Sequence, residues 1–133
     1  MSYTNGLDKP TDYFNTVLFS GNETARSITG VGFQPDWVWI KDRSQAYNHH
    51  LFDVIRGATK RLKSDVADAE STNAQTLTAF GSDGFSLGTD NATNGNGSNV
   101  VSWNWLAGGS PSSNTDGSIT SSVSANTTAG FSI

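Results

Sequence analysis

The segment GFQPDWVWIKDRSQAYNHHLFDVIRGATKRL, residues 32–62, concentrates the side chains with chemical potential. It holds Trp37 and Trp39, the adjacent pair His49 and His50, and the basic residues Arg56, Lys60 and Arg61, with Lys63 just beyond. Such a set serves catalysis, metal binding or the scaffold of a β-protein. Neighbouring residues of a strand point to opposite faces, so His49 and His50 do not chelate one ion together. They are the only histidines, and the chain has no cysteine, so a zinc site would rest on carboxylates. The structural alternative puts one histidine hydrogen-bonded in the core and the other at the surface. No Gly-x-Ser-x-Gly elbow marks a nucleophilic serine. Glycoside hydrolysis needs two positioned carboxylates. The only glutamates, Glu23 and Glu70, lie in polar loops, and Asp53 stands three residues from Arg56, a spacing suited to an ion pair. The expectation is a non-enzymatic protein.

Three further groups are candidates for binding. Asp90, Asn94 and Asn96 offer oxygen ligands of the kind calcium takes, although their spacing is not that of an EF-hand and a polar turn looks the same. No other cofactor is indicated. Tyr47 and Asn48, together with Asp90, Asn94 and Asn96, are the loop residues expected to contact a ligand. In a strand, Trp37 and Trp39 share one face, and Trp103 and Trp105 share another. Indole rings stack on the apolar faces of sugars. Both pairs nevertheless fall in the two most hydrophobic strands, and in so small a domain they are expected to fill the core. Arg56, Lys60, Arg61 and Lys63 are followed by Asp65, Asp68 and Glu70, which reads as local ion pairing on a solvated surface.

The elements that position these groups read as strands. The 133-residue chain is 35% hydrophobic and rich in glycine, a composition that favours sheets joined by turns. Strand candidates are residues 13–19, 27–29, 37–41, 48–55, 61–63, 76–80, 85–87 and 100–106, with weak ones at 118–120 and 130–133. Residues 37–41 are apolar on both faces and read as a central strand covered on both sides. Asp83-Gly84 marks a hairpin. Residues 65–73 and 89–99 read as loops. No sustained 3.6-residue apolar pattern occurs, so the fold is expected to be an all-β antiparallel sandwich or barrel in one domain. Residues 1–12 form an extended lead-in, 13–109 the sandwich, and 110–133 a Ser/Thr/Asn-rich linker with a terminal strand. That last part either completes the sandwich or begins a further module. A net charge of −4 argues against nucleic acid. No run is apolar enough to insert in a membrane. The N-terminus lacks signal-peptide regions.

Several pieces resemble structural proteins of tailed bacteriophages, especially marine ones: GLDKPTDYFNTVL (6–18), ITGVGFQPDWVWIK (28–41), LFDVIRGATK (51–60), FGSDGFSLG (80–88) and VSWNWLAGG (101–109). Together they cover most of the chain in order. Such proteins are usually labelled tail-fibre or virion-associated. The resemblance implies a concanavalin-like or SPRY-like sandwich, of jelly-roll type, that serves attachment or virion structure. It offers no catalytic residues. It also implies that Asp53, Arg56 and Gly57 are scaffold: Gly57 for a positive φ in a tight turn, and Arg56 lying over an aromatic and bonding to Asp53 or to loop carbonyls. Asp36 would cap the turn entering the Trp37 strand.

The expected function is a virion module in a fibre or appendage, assembled in the host cytoplasm and contacting a host-surface glycan through its loops. Its expected partners are other virion proteins, with a homo-oligomer, trimer or polymer. The alternatives are an assembly or capsid-decoration protein that self-associates through an unpaired terminal strand, and a fragment of a polysaccharide depolymerase.

Overall fold

Alternation along one strand sets the architecture. In residues 37–42 Val38, Ile40 and Asp42 are buried, while Trp37, Trp39 and Lys41 are partly exposed. The structure, a computed structural model, describes residues 9–133. In chain order its strands are β1 (Phe14–Ser20), β2 (Arg26–Thr29), β3 (Trp37–Asp42), β4 (His50–Asp53), β5 (Lys60–Lys63), β6 (Ser71–Thr72), β7 (Leu77–Gly81), β8 (Gly84–Leu87), β9 (Asn99–Trp105), β10 (Ser112–Asn114), β11 (Ser121–Val123), β12 (Ala125–Asn126) and β13 (Phe131–Ser132). One helical turn, α1 (Asn91–Asn94), precedes β9.

Six strands form one antiparallel sheet in the order β1-β9-β3-β4-β5-β6, and three form a second in the order β2-β8-β7. Their inner faces make the core. Val38, Ile40, Phe52 and Val100 of the large sheet, flanked by Val17 and Phe19, meet Ile28, Leu77, Phe85 and Leu87 of the small one. Burying side chains such as Phe52 and Phe85 stabilises by roughly 1.5–3 kcal/mol each. The all-β sandwich expected from the sequence is therefore present, and the Asp83-Gly84 hairpin joins β7 to β8.

One patch of the inner face is polar. Ser102 and Asn104 of β9 are fully buried. Asn104 Nδ2 donates to Ser102 Oγ at 3.1 Å and to the Asn15 carbonyl at 3.0 Å. Asn15 Nδ2 in turn donates to the Val31 carbonyl at 3.0 Å. Across the same loop the Asp83 carboxylate accepts from Gly30 N at 3.1 Å and Gly32 N at 2.6 Å. The loop before β3 is thus tied to both sheets.

Several local expectations are corrected. Pro10–Asp12 is a 3-10 turn with proline at its start, where a fixed φ suits a helix, rather than extended chain; the rest of the lead-in, residues 1–8, lies outside the described residues. The 65–73 stretch contains β6. The 89–99 stretch contains α1, capped by Asp90. Residues 118–120 are not a strand; β11 follows them. Residues 110–133 are not a free linker, and the terminal strand is not unpaired. β10 pairs with β11 and β12 with β13. The second hairpin folds back on the domain: Ser124 Oγ donates to the Gly109 carbonyl at 2.7 Å, and Asn126 Nδ2 to the Leu106 carbonyl at 3.4 Å.

Candidate functional site: an aromatic sheet face

The outer face of the six-stranded sheet carries all four tryptophans. Strand register fixes this. Thr16, Trp103, Trp39, Leu51 and Leu62 lie in one row across β1, β9, β3, β4 and β5. The next row is Phe14, Trp105, Trp37 and Asp53. Each tryptophan is partly exposed. The expectation that they fill the core is corrected, as is the expectation that β3 is covered on both sides. The reason is local. Val38 and Ile40 already fill the inner positions of β3, and in β9 the inner positions go to Val100, Ser102 and Asn104, whose Nδ2 donates to Ser102 Oγ and to the Asn15 carbonyl while its Oδ1 stays buried without a partner. The indoles take what remains.

The rings form a connected platform. Trp39 and Trp103 meet edge to face at 5.6 Å. Trp37 lies 6.3 Å from Trp39 and 4.7 Å from Trp105. Phe14 flanks Trp105 at 4.8 Å. Phe131 from β13 covers one end, stacked on Trp37 at 5.5 Å with a 14° interplanar angle and on Trp105 at 6.0 Å. At the other end Trp39, Trp103 and Trp105 line an open hollow of about 260 Å³. Trp39 Nε1 donates to His49 Nδ1 at 2.8 Å. That bond fixes the neutral His49 tautomer with its proton on Nε2, a donor at the platform edge. The indole N–H groups of Trp103 and Trp105 have no partner among the described residues.

The histidine expectation is reversed. The surface residue, His49, is the hydrogen-bonded one. His50 is buried, and both its ring nitrogens lack partners. Burial, followed by the charge of Arg61, pushes its pKa down to about 4, with Lys63 adding to the fall and Asp90 and Asp65 opposing it.

Of the loop residues expected to bind ligand, several are engaged within the protein. Tyr47 is exposed, and its carbonyl accepts from Lys41 Nζ at 2.6 Å. Asn48 donates to Asp65 at 3.2 Å. Asp90 accepts from Ala92 N at 3.0 Å and from Asn73 Nδ2 at 2.9 Å. Asn94 is fully buried and donates to the carbonyls of Thr24 and Gly88, so it is structural. Asn96 is exposed. The calcium expectation meets the same geometry: Asp90 is committed to capping α1, and Asn94 points into the protein. Among the described residues no group of three or more histidine, aspartate or glutamate side chains is placed to hold a metal.

The scaffold readings fare better. Arg56 Nε donates to Asp53 at 2.5 Å and Arg56 NH1 to Glu70 at 3.2 Å, and Gly57 has φ +96°. Lys63 pairs with Asp68 at 2.7 Å. Arg56 does not lie over an aromatic ring; Arg26 does, 5.3 Å from the Phe19 centroid. Asp36 does not cap its own turn. It is buried and accepts from Ala107 N at 2.8 Å, which clamps the chain after β9 to the start of β3 and fixes Trp37 beside Trp105. Sequence reasoning missed His49 and Phe131 as parts of the platform. The facing of β9 had no signal in the strand itself, because polar Ser102 and Asn104 opposite Trp103 and Trp105 read as the exposed side.

The family model described as a domain of unknown function (DUF7483) matches residues 9–133, and the chain belongs to that family. No curated protein and no solved structure matches it.

Proposed function

We propose that this DUF7483 chain is a non-enzymatic attachment module of a phage tail fibre or appendage, and that it holds a host-surface glycan on the aromatic face of its large sheet. One observation carries the reading: Trp39, Trp103 and Trp105 stay partly exposed around a shared hollow, on an antiparallel sheet. An indole offers a large flat apolar surface with one N–H donor at its edge. A pyranose offers an apolar C–H face ringed by hydroxyls. Stacked rings bury the first against the second, while the unpartnered indole N–H groups and His49 Nε2 meet the hydroxyls. The glycan contact thus moves from the loops, where the sequence put it, to the sheet face.

Phage origin rests on the sequence resemblance. It carries with it the virion as location, assembly in the host cytoplasm, and other virion proteins as partners. Self-association through the terminal strand has less support, since β13 is paired with β12 and its Phe131 packs on Trp37 in the same chain. The depolymerase reading has less support, since Asp53 is held by Arg56 and Asp90 caps α1.

The test is affinity electrophoresis and calorimetry against a panel of bacterial and algal polysaccharides, with Trp39→Ala and Trp103→Ala beside the wild type. The wild type should bind at least one polymer. Each substitution should weaken binding about tenfold or more while far-UV circular dichroism is unchanged. Binding that survives both substitutions would sink the proposal.

A further inference from the structure

The aromatic rows continue along β1, β9 and β3 into a row of different chemistry. Beyond Thr16, Trp103 and Trp39 comes Leu18, Val101 and Lys41, and then Ser20 and Asn99 with Arg43. Here Leu18, Ser20, Arg43 and Asn99, with Phe19 and Val100, line a second hollow of about 330 Å³. Arg43 is exposed, and its side chain makes neither an ion pair nor a hydrogen bond among the described residues. Only its main chain is bonded, Arg43 N donating to the Asn99 carbonyl at 2.7 Å. Its neighbour Asp42 is buried and turned inward, accepting from Ser44 N and Gln45 N at 2.7 and 3.1 Å. Lys41 Nζ is held by the carbonyls of Gln45 and Tyr47. No carboxylate lines the hollow, although the whole chain carries −4. A free guanidinium on an otherwise acidic protein thus sits beside the exposed hydroxyl of Ser20. Arg43 is the first residue after β3, four positions on from Trp39, so their Cα atoms are at most about 13 Å apart.

We infer that the ligand is an acidic polysaccharide: one sugar stacks on Trp39 and Trp103, and the carboxylate or sulfate of a neighbouring sugar is gripped by Arg43. The planar guanidinium binds such oxyanions through two parallel N–H bonds, which lysine or glutamine does not reproduce. Ser20 and Asn99 supply the polar rim. This inference rests on the glycan reading and adds the chemical class.

The experiment compares alginate, polygalacturonate, chondroitin sulfate and dextran sulfate with neutral dextran, pullulan and carboxyl-reduced alginate, using wild type, Arg43→Gln, Arg43→Lys and Trp103→Ala. Arg43 is exposed, so its variants should fold. The wild type should prefer an acidic polymer to the neutral ones by about tenfold, and the preference should shrink as salt rises above 0.15 M. R43Q should erase it, R43K should restore part of it, and W103A should lower binding to every polymer bound. Binding of a neutral polymer that W103A abolishes and R43Q leaves unchanged would overturn the acidic class and keep the platform. An acidic preference lost in R43Q but indifferent to W103A would overturn the platform. Binding of none would overturn both.

Discussion

His50 shows how one side chain links packing to pH. It is 2% exposed, faces Phe52 at 6.5 Å between ring centroids, and finds no partner for either nitrogen. Folded, it takes a proton only near pH 4. Unfolded, it titrates near 6.5. Between these values the unfolded chain binds more protons, so stability is full above about pH 6.5 and falls as pH drops toward 4. The loss at this site is at most roughly 3 kcal/mol. Asp83, whose carboxyl is held below the usual range by Gly32 N and Gly30 N, loses its contribution only at lower pH still. Asp36 acts oppositely: burial raises its pKa, so the folded state favours its protonated form. His50→Leu removes two unsatisfied nitrogens and the titration together. Urea midpoints at pH 7 and pH 5 should therefore drop for the wild type and stay nearly level for H50L, with H50L equal or more stable at pH 7. Equal drops in both proteins would show that His50 does not set the acid sensitivity.

Among the elements, the C-terminal hairpin β12–β13 is the piece whose placement most affects the platform. Gly108 makes its approach feasible. A Cβ there would stand 1.9 Å from the Ala125 carbonyl oxygen, a main-chain atom that cannot swing aside. Gly108→Ala should push the hairpin away and take Phe131 off Trp37 and Trp105, while the two-sheet core stays folded. Phe131→Ala should bare the same rings without moving the backbone. Both variants should shift tryptophan emission to the red and leave far-UV circular dichroism near that of the wild type. Gly117→Ala, where the nearest atom is 3.9 Å away, is the neutral control. Unchanged emission in both would mean that the hairpin does not cover the platform in solution. This element was half legible. The strand tendency of residues 130–133 could be read from Phe131 and Ile133, but its docking depends on Gly108, Leu106 and the Trp37 ring, all remote in sequence. The reverse holds for β3 and β9. Their existence was plain from branched and aromatic runs. Their facing was not, because WVWI is apolar on both sides and period-2 alternation does not say which side is the core. In β9 hydrophobicity alone points the wrong way, since Trp103 and Trp105 outrank Ser102 and Asn104 until the bond to Asn15 on β1 is known.

For the whole molecule, the proposed glycan binding would depend on number as well as on contact. The platform is a single open face with one hollow over Trp39, Trp103 and Trp105 and a second beside Arg43. A shallow, open site pays the full loss of ligand freedom with few enclosing contacts, so one copy should bind weakly. In the proposed fibre several copies would be presented together, and a polysaccharide presents repeated epitopes. The second engagement is then intramolecular, at an effective concentration in the millimolar range, and avidity can exceed single-site affinity by 10²–10⁴ without new contacts. Fusing the chain to a trimeric coiled coil should reproduce this. With a polymer that the monomer binds, the trimer should hold at least about a hundredfold tighter, chiefly through slower release in surface plasmon resonance. A trimer bearing Trp103→Ala should lose most of the gain, because avidity multiplies an affinity that must first exist. An oligosaccharide of two or three sugars, too short to bridge sites, should bind monomer and trimer alike. If the trimer gains nothing on the long polymer while the monomer still binds, the three faces do not engage one chain together, and the module acts singly.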